Sequence, residues 1–160
     1  MIYRLCLIII AIVFTSCRNE VLVNQYNSLP MSWHKDSILK FNFQIKDSSE
    51  RYNTYIKVRL NNEYMFNNIF IIATLENSKG LLVVDTLEYP MATNQGELIG
   101  RKFINIVENK LLYKENFSID KDVEYQLTLK HAMRLVNITK GLESLEGILD
   151  IGYSIEKILD

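Results

Sequence analysis

The feature that most constrains this chain is strict alternation. In "LKFNFQIK", Leu39, Phe41, Phe43 and Ile45 alternate with Lys40, Asn42, Gln44 and Lys46. Successive side chains of a strand point to opposite faces, so this pattern buries one face and wets the other. "TYIKVRL" repeats the device: Thr54, Ile56, Val58 and Leu60 face one way, Tyr55, Lys57 and Arg59 the other. No long stretch carries the 3.6-residue period of an amphipathic helix.

Further segments read as strands in the same way. "IFIIATL" (69–75) is apolar on both faces, which suits a central strand. "LLVVDTLEY" follows the turn "NSKG" and is stopped by Pro90. "KFINIV" reads as one strand, "LLYKENFSI" as an edge strand or crossover, and "VEYQLTL" alternates through Val123, Tyr125, Leu127 and Leu129. "KHAMRLVN" reads as one or two helical turns. In "ILDIGYSIEKI", Leu149, Ile151, Tyr153, Ile155 and Lys157 are expected on one face. Asparagine-rich "RLNNEYMFNN" and "MATNQGELIG" are loops. About eight antiparallel strands with polar turns predict an all-β fold, a jelly-roll-like antiparallel sandwich occupying residues 31–160.

The N-terminus is of another kind. Leu5 to Phe14 are apolar throughout, after the single charge of Arg4. Ten residues span about 15 Å as a helix, half of a bilayer's hydrocarbon core. That is the length of a signal peptide, here residues 1–16. Thr15 and Ser16 are small, and Cys17 follows. The pattern looks like a bacterial lipobox, in which the cysteine thiol takes the lipid because its thiolate is the best nucleophile available. Cys17 is therefore the expected lipidation site, and residues 17–30 the lipid-anchored tether. Each buried methylene contributes roughly 0.8 kcal/mol, so two or three acyl chains hold the membrane firmly. Cys6 leaves with the signal, so the mature chain has no thiol for a disulfide and stands on its core alone.

Charge excludes one class of partner. The chain has 18 basic and 19 acidic residues; without Arg4 the mature chain carries 17 against 19, a net of −2. There is no basic stripe, so no nucleic acid is expected.

Chemistry is hard to find. "WHKD" sets His34 two residues from Asp36, a spacing that can serve a metal or a general base, but two ligands make no site. The plainer reading is a loop whose Trp33 packs on the sandwich. His131 follows a strand and is expected to cap it or to pack beside Met133 and Arg134. Asp85, Glu88, Glu97 and Asp150 lie in or near strands, and only their positions in space could pair them as glycosidase carboxylates. "GELIG" lacks the lysine and helix of a phosphate loop. No catalytic residue, metal ligand set or cofactor is expected, and any small-molecule ligand stays open.

The lipobox cysteine, the early tryptophan, "YIKVRLNNEYMFNNIFI", "GELIG", "HAMR" and "LEGILDIGYSIEK" together resemble the gliding-motility lipoprotein H (GldH) family. The resemblance covers nearly all of the mature chain. It would carry over Arg59, Asn61, Tyr64, Asn67 or Asn68, then Gly96 and Gly100, then Met133 and Arg134, then Gly147, Ile148, Asp150 and Gly152. Most of these are structural residue types. The resemblance implies a lipid-anchored lipoprotein of the cell envelope, placed at the outer membrane. Its implied role is a non-enzymatic accessory or assembly component of bacterial gliding, with other gliding or secretion envelope proteins as partners. The alternative is a surface carbohydrate-binding lipoprotein, which would need exposed, coplanar aromatics on one sheet. An envelope hydrolase is the weakest reading, since no converging acid and base is visible.

Overall fold

A computed structural model of the chain describes residues 20–46, 51–135 and 140–158. Cys17 and the leader before it lie outside the described residues. The elements are β1 (Val21–Ser28), β2 (Ser32–His34), β3 (Leu39–Phe43), β4 (Tyr52–Leu60), β5 (Asn68–Asn77), β6 (Gly80–Pro90), β7 (Arg101–Phe103), β8 (Ile106–Phe117), β9 (Tyr125–His131), β10 (Ser144–Glu146) and β11 (Ile148–Lys157). They form a five-stranded sheet in the order β1-β11-β4-β8-β7, a four-stranded sheet in the order β3-β9-β5-β6, and the small ribbon β10-β2. Every pairing is antiparallel. The all-β sandwich expected from the alternation is what forms, with eleven strands where about eight were expected. Among the described residues no helix is long and apolar enough to cross a membrane.

The core is the sum of the inward sets. Phe41 and Phe43 of β3 meet Tyr153 of β11 across the sandwich at ring-centroid distances of 6.1 and 5.3 Å. Phe43 stacks on Tyr125 of β9 at 5.3 Å, with ring planes 8° apart. Ile56, Val58 and Leu60 are fully buried, as their alternation requires, and so are Ile69, Ile71 and Ala73 of the central strand β5. Polar side chains tie the sheets together at the margins. Gln25 Nε2 of β1 donates to the Asn42 carbonyl of edge strand β3 (2.8 Å). On the other side Asp85 of β6 takes Lys114 Nζ (2.7 Å) and the Tyr113 hydroxyl (3.2 Å) of β8.

Four expectations need correction. The stretch 17–30, expected as tether, supplies β1, which pairs with β11 from Val21 to Ser28; the folded unit starts before residue 31. Its side chains are half-buried or exposed, so its strand character comes from the backbone ladder rather than from alternation. "KFINIV" is a hairpin: Phe103 faces Ile106 across the turn at Ile104 and Asn105. "KHAMRLVN" forms no helix within its described part. His131 pairs with Ile71 and Arg134 bridges Gly141, because the neighbouring strands offer that backbone a ladder. Leu149 is not on the buried face. A bulge between Ile148 and Asp150 inserts it as an extra residue, so Ile148 is buried in its place.

Candidate functional site

Strand direction sorts the molecule into two ends. β4 runs from Tyr52 to Leu60, and antiparallel β11 sets Ile148 beside Leu60 and Lys157 beside Tyr52. The Lys157 end also holds the start of the described chain, where Lys157 N donates to the Glu20 carbonyl (2.9 Å). The Leu60 end carries the 61–67 loop, Gly147, and the segment from Met91 to the β7–β8 turn. Almost every motif residue taken from the family resemblance gathers there.

The contacts show why these residue types are needed. Gly147 has φ +82°, and a Cβ there would run into the Tyr64 backbone nitrogen. Its own backbone accepts from Asn61 N and donates to the Met31 carbonyl, both at 2.9 Å. The Asn61 side chain accepts from Glu63 N (2.9 Å) and closes the turn. Buried Tyr64 donates its hydroxyl to the Asn68 carbonyl (2.6 Å), and burial pushes that hydroxyl's pKa well up. The Asn67 carbonyl accepts from Met91 N and Ala92 N. Gly96 forms the turn closed on Thr93, and Gly100 lies against the Glu108 carbonyl, where a Cβ would stand 2.6 Å away. Met133 Sδ accepts from Phe70 N (3.2 Å). Arg134 is exposed.

Arg59, Asp150 and Gly152 instead belong to the outer face of the five-stranded sheet. Register sets Asp150, Arg59, Glu108 and Arg101 side by side across four strands, with charges alternating in sign. Arg59 Nε donates to Glu108 Oε2 (2.6 Å), and its guanidinium lies 4.2 Å over the Tyr26 ring. The Glu108 hydrogen bond, more than any other contact, raises the Arg59 pKa. Ser28 Oγ donates to Asp150 Oδ1 (2.6 Å), and the Tyr26 hydroxyl donates to Glu108 (3.3 Å). Both carboxylates are spoken for, so the row is a rigid tie across the sheet rather than an acid–base pair. Tyr26 and Glu108 were not legible as site residues. The one trace was Gly152, a glycine in a strand, which marks a close approach by something else.

The other candidates stay apart. His34 Nδ1 accepts from Asp36 N (3.2 Å) and is half-exposed in its loop. His131 is buried against Trp33, edge to face at 5.6 Å. Desolvation pulls its imidazole pKa below the ordinary value, partly offset by an approach of the Trp33 backbone. Asp85 is held by Lys114, Glu88 accepts from Asn68 Nδ2 (2.6 Å), and Glu97 pairs with Lys102. These carboxylates do not face one another across a cleft. Among the described residues no three His, Cys, Asp or Glu side chains come together as a metal site.

The Leu60 end presents a cleft of about 440 Å³ with a mixed lining, Tyr64, Leu98, Phe103 and Ile104 beside Glu97, Lys102 and Asn105. Ile104, at the apex of the β7–β8 turn, is fully exposed, and Phe103 is half-exposed. Met65, from the 61–67 loop at the same end, is 86% exposed. Turn tips are ordinarily polar. A larger groove of about 650 Å³ lies at the opposite end, among the amides of Asn42, Gln44, Asn77 and Gln126, but its aromatics Phe43 and Tyr125 are buried.

The fold and its built end define a class: a small all-β module, braced by glycine-mediated close approaches, with an apolar loop tip. The GldH lipoprotein family model matches residues 21–155. The chain is 40% identical over 151 residues to the gliding motility lipoprotein GldH of Flavobacterium johnsoniae, covering 94% of each chain. It is 38% identical over 146 residues to the gliding motility lipoprotein GldH homolog of Christiangramia forsetii, covering 91% of this chain and 90% of that one. The chain belongs to the GldH family of gliding-motility lipoproteins, and a lipid-anchored place in the cell envelope goes with that membership. Among solved structures, dimeric latent PorU from Porphyromonas gingivalis overlays 90% of this chain on 14% of its own length, with a TM-score of 0.34 and 10% identity.

Proposed function

We propose that the protein is a non-enzymatic accessory subunit of the gliding machinery, anchored through lipidated Cys17 and docking envelope proteins by its apolar loop end. One observation carries the reading: Glu20, the first described residue, and the tip lie at opposite ends of the sandwich. Three peptide steps separate Cys17 from Glu20, a reach of at most about 10 Å. The nine-residue strand β4 then carries the chain about 30 Å to the tip. An anchor at the outer membrane would thus hold the exposed Phe103 and Ile104 out for a protein partner. Among the described residues at this end, Glu97 is paired with Lys102 and Glu108 with Arg59.

The glycan reading has less behind it. Tyr26, an aromatic of the outer sheet face, carries the Arg59 guanidinium and lies against Gly152, so it offers no open stacking platform. The test is a gentle detergent pull-down from the native envelope, run beside a glycan array and a gene deletion. Recovery of gliding or secretion components, with loss of surface spreading but normal liquid growth, is the expected result. Specific binding of one glycan class with normal spreading overturns the reading. Fatty-acid label retained in Cys17→Ser would overturn Cys17 as the lipid anchor.

A further inference from the structure

The base of the sandwich, at the opposite end from the loop tip, also presents apolar side chains, and register places them. Phe117 of β8, Tyr52 of β4 and Lys157 of β11 stand in one row, and Lys157 N donates to the Glu20 carbonyl (2.9 Å). Neighbouring strands lie about 4.8 Å apart, so the row from Glu20 to Phe117 spans only about 15 Å. Leu82 of β6 lines one cleft with Phe117, so the β5–β6 hairpin lies level with the start of the described chain. At this end Leu81 and Leu82, just past the hairpin turn, and Val21 and Leu22, at the start of β1, are all at least 40% exposed. Singly, such residues need no explanation. Here they share the end where the described chain begins, three residues after Cys17. Exposed charges of both signs mix among them, Lys79 and Arg51 with Glu20 and Asp120.

We propose that this end rests on the lipid surface that holds the anchor, with Leu81, Leu82, Val21 and Leu22 dipping into the boundary between headgroups and acyl chains. The inference rests on the lipidated Cys17 proposed above and adds the orientation of the domain. Apolar side chains gain at that boundary by leaving water, with no need to span the bilayer. A three-residue tether keeps the base within about 10 Å of the membrane, so the contact is intramolecular and even a weak one is well populated. Lys79, in the hairpin turn, can lay its methylenes along the apolar surface and keep its ammonium among the phosphates. Because the charges are mixed, burial of apolar surface holds the base down, not lipid charge. A second copy is the poorer occupant, since two bases packed face to face would trap both anchors between the sandwiches, away from the bilayer.

The acylated full chain is reconstituted in phosphatidylcholine vesicles, with and without phosphatidylglycerol. Cys6 leaves with the leader and Cys17 carries the lipid, so an introduced cysteine alone takes a fluorophore. Lys79→Cys reports the base and Ile104→Cys the tip. The label at 79 should be quenched by a nitroxide-bearing lipid, and by aqueous iodide several-fold less than the label at 104, equally in both vesicles. Leu81→Glu with Leu82→Glu should bring iodide access at 79 to the level at 104, while circular dichroism stays unchanged. Flotation with the vesicles on a density gradient reads the anchor separately. A chain that floats with equal iodide access at both positions overturns the contact and leaves the anchor standing; a chain that does not float overturns both. Shielding of position 79 only in vesicles with phosphatidylglycerol overturns the apolar contact in favour of an electrostatic one. Shielding in native envelope but not in pure lipid gives the surface to a protein and overturns the proposal.

Discussion

The Tyr26 ring lies across Gly152 of the neighbouring strand, so close that a Cβ at position 152 would stand 2.7 Å from two ring carbons. The glycine is the seat on which the ring rests, and the ring in turn carries Arg59 and reaches Glu108.

Gly152→Ala should therefore destabilise the fold by about 1–3 kcal/mol, the scale of overpacking. The displaced ring would also loosen the Arg59–Glu108 tie. In a Tyr26→Ala background the same substitution should cost less, although the Gln25 carbonyl, 2.9 Å from the new methyl, keeps some of the penalty. Denaturant midpoints of the four proteins form the cycle. Equal costs in both backgrounds would show that Tyr26 is not what the glycine accommodates.

The bulge in β11 makes a prediction that simple alternation reverses. Ile148→Ala should cost about 2–5 kcal/mol, since that side chain is fully buried. Leu149→Ala should cost clearly less, because the bulge leaves it half-buried. Urea unfolding of the pair decides it. A larger loss at Leu149 would place the register one residue away.

Burial of His131 sets a pH dependence. Its folded pKa lies below the unfolded value of about 6.5, so between the two values the unfolded chain holds the extra proton. Stability is then full above about pH 6.5 and falls as pH drops below it. His34, Lys35 and Arg134 nearby are all potential or actual cations, and none of them helps the ring to charge. Midpoints in urea at about pH 7.5 and about pH 5.5 should differ in the wild type, and by less in His131→Leu. Equal slopes would assign the acid sensitivity to other groups.

At the tip, stability and function should separate. Ile104 is fully exposed, so Ile104→Glu should change stability by less than about 0.5 kcal/mol. The same variant should lose envelope partners in the pull-down and fail to restore spreading to a deletion strain. Full restoration, with the lipid anchor intact, would take the tip out of the docking surface.

Much of the fold was legible because pleat alternation is a local property. Leu39 to Ile45 and Thr54 to Leu60 declare their buried faces without reference to any neighbour, and Phe43 and Ile56 are buried as that alone requires. Whatever depends on a distant partner was not legible. β1 is a strand because β11 offers it a ladder more than 120 residues away, and no pattern in its own side chains announces that. The place of Leu149 is settled by how β11 meets β4, not by its spacing from Ile151. The motif glycines could be read as places needing room, but what fills the room, Tyr64 at Gly147 and Tyr26 at Gly152, is chosen by chain crossings. Likewise Arg59, Glu108 and Asp150 are ordinary polar positions on three separate strands until register sets them in one row. Side-chain periodicity is written in neighbouring residues, whereas contact between strands is fixed only when the backbone hydrogen bonds of the whole sheet are satisfied together.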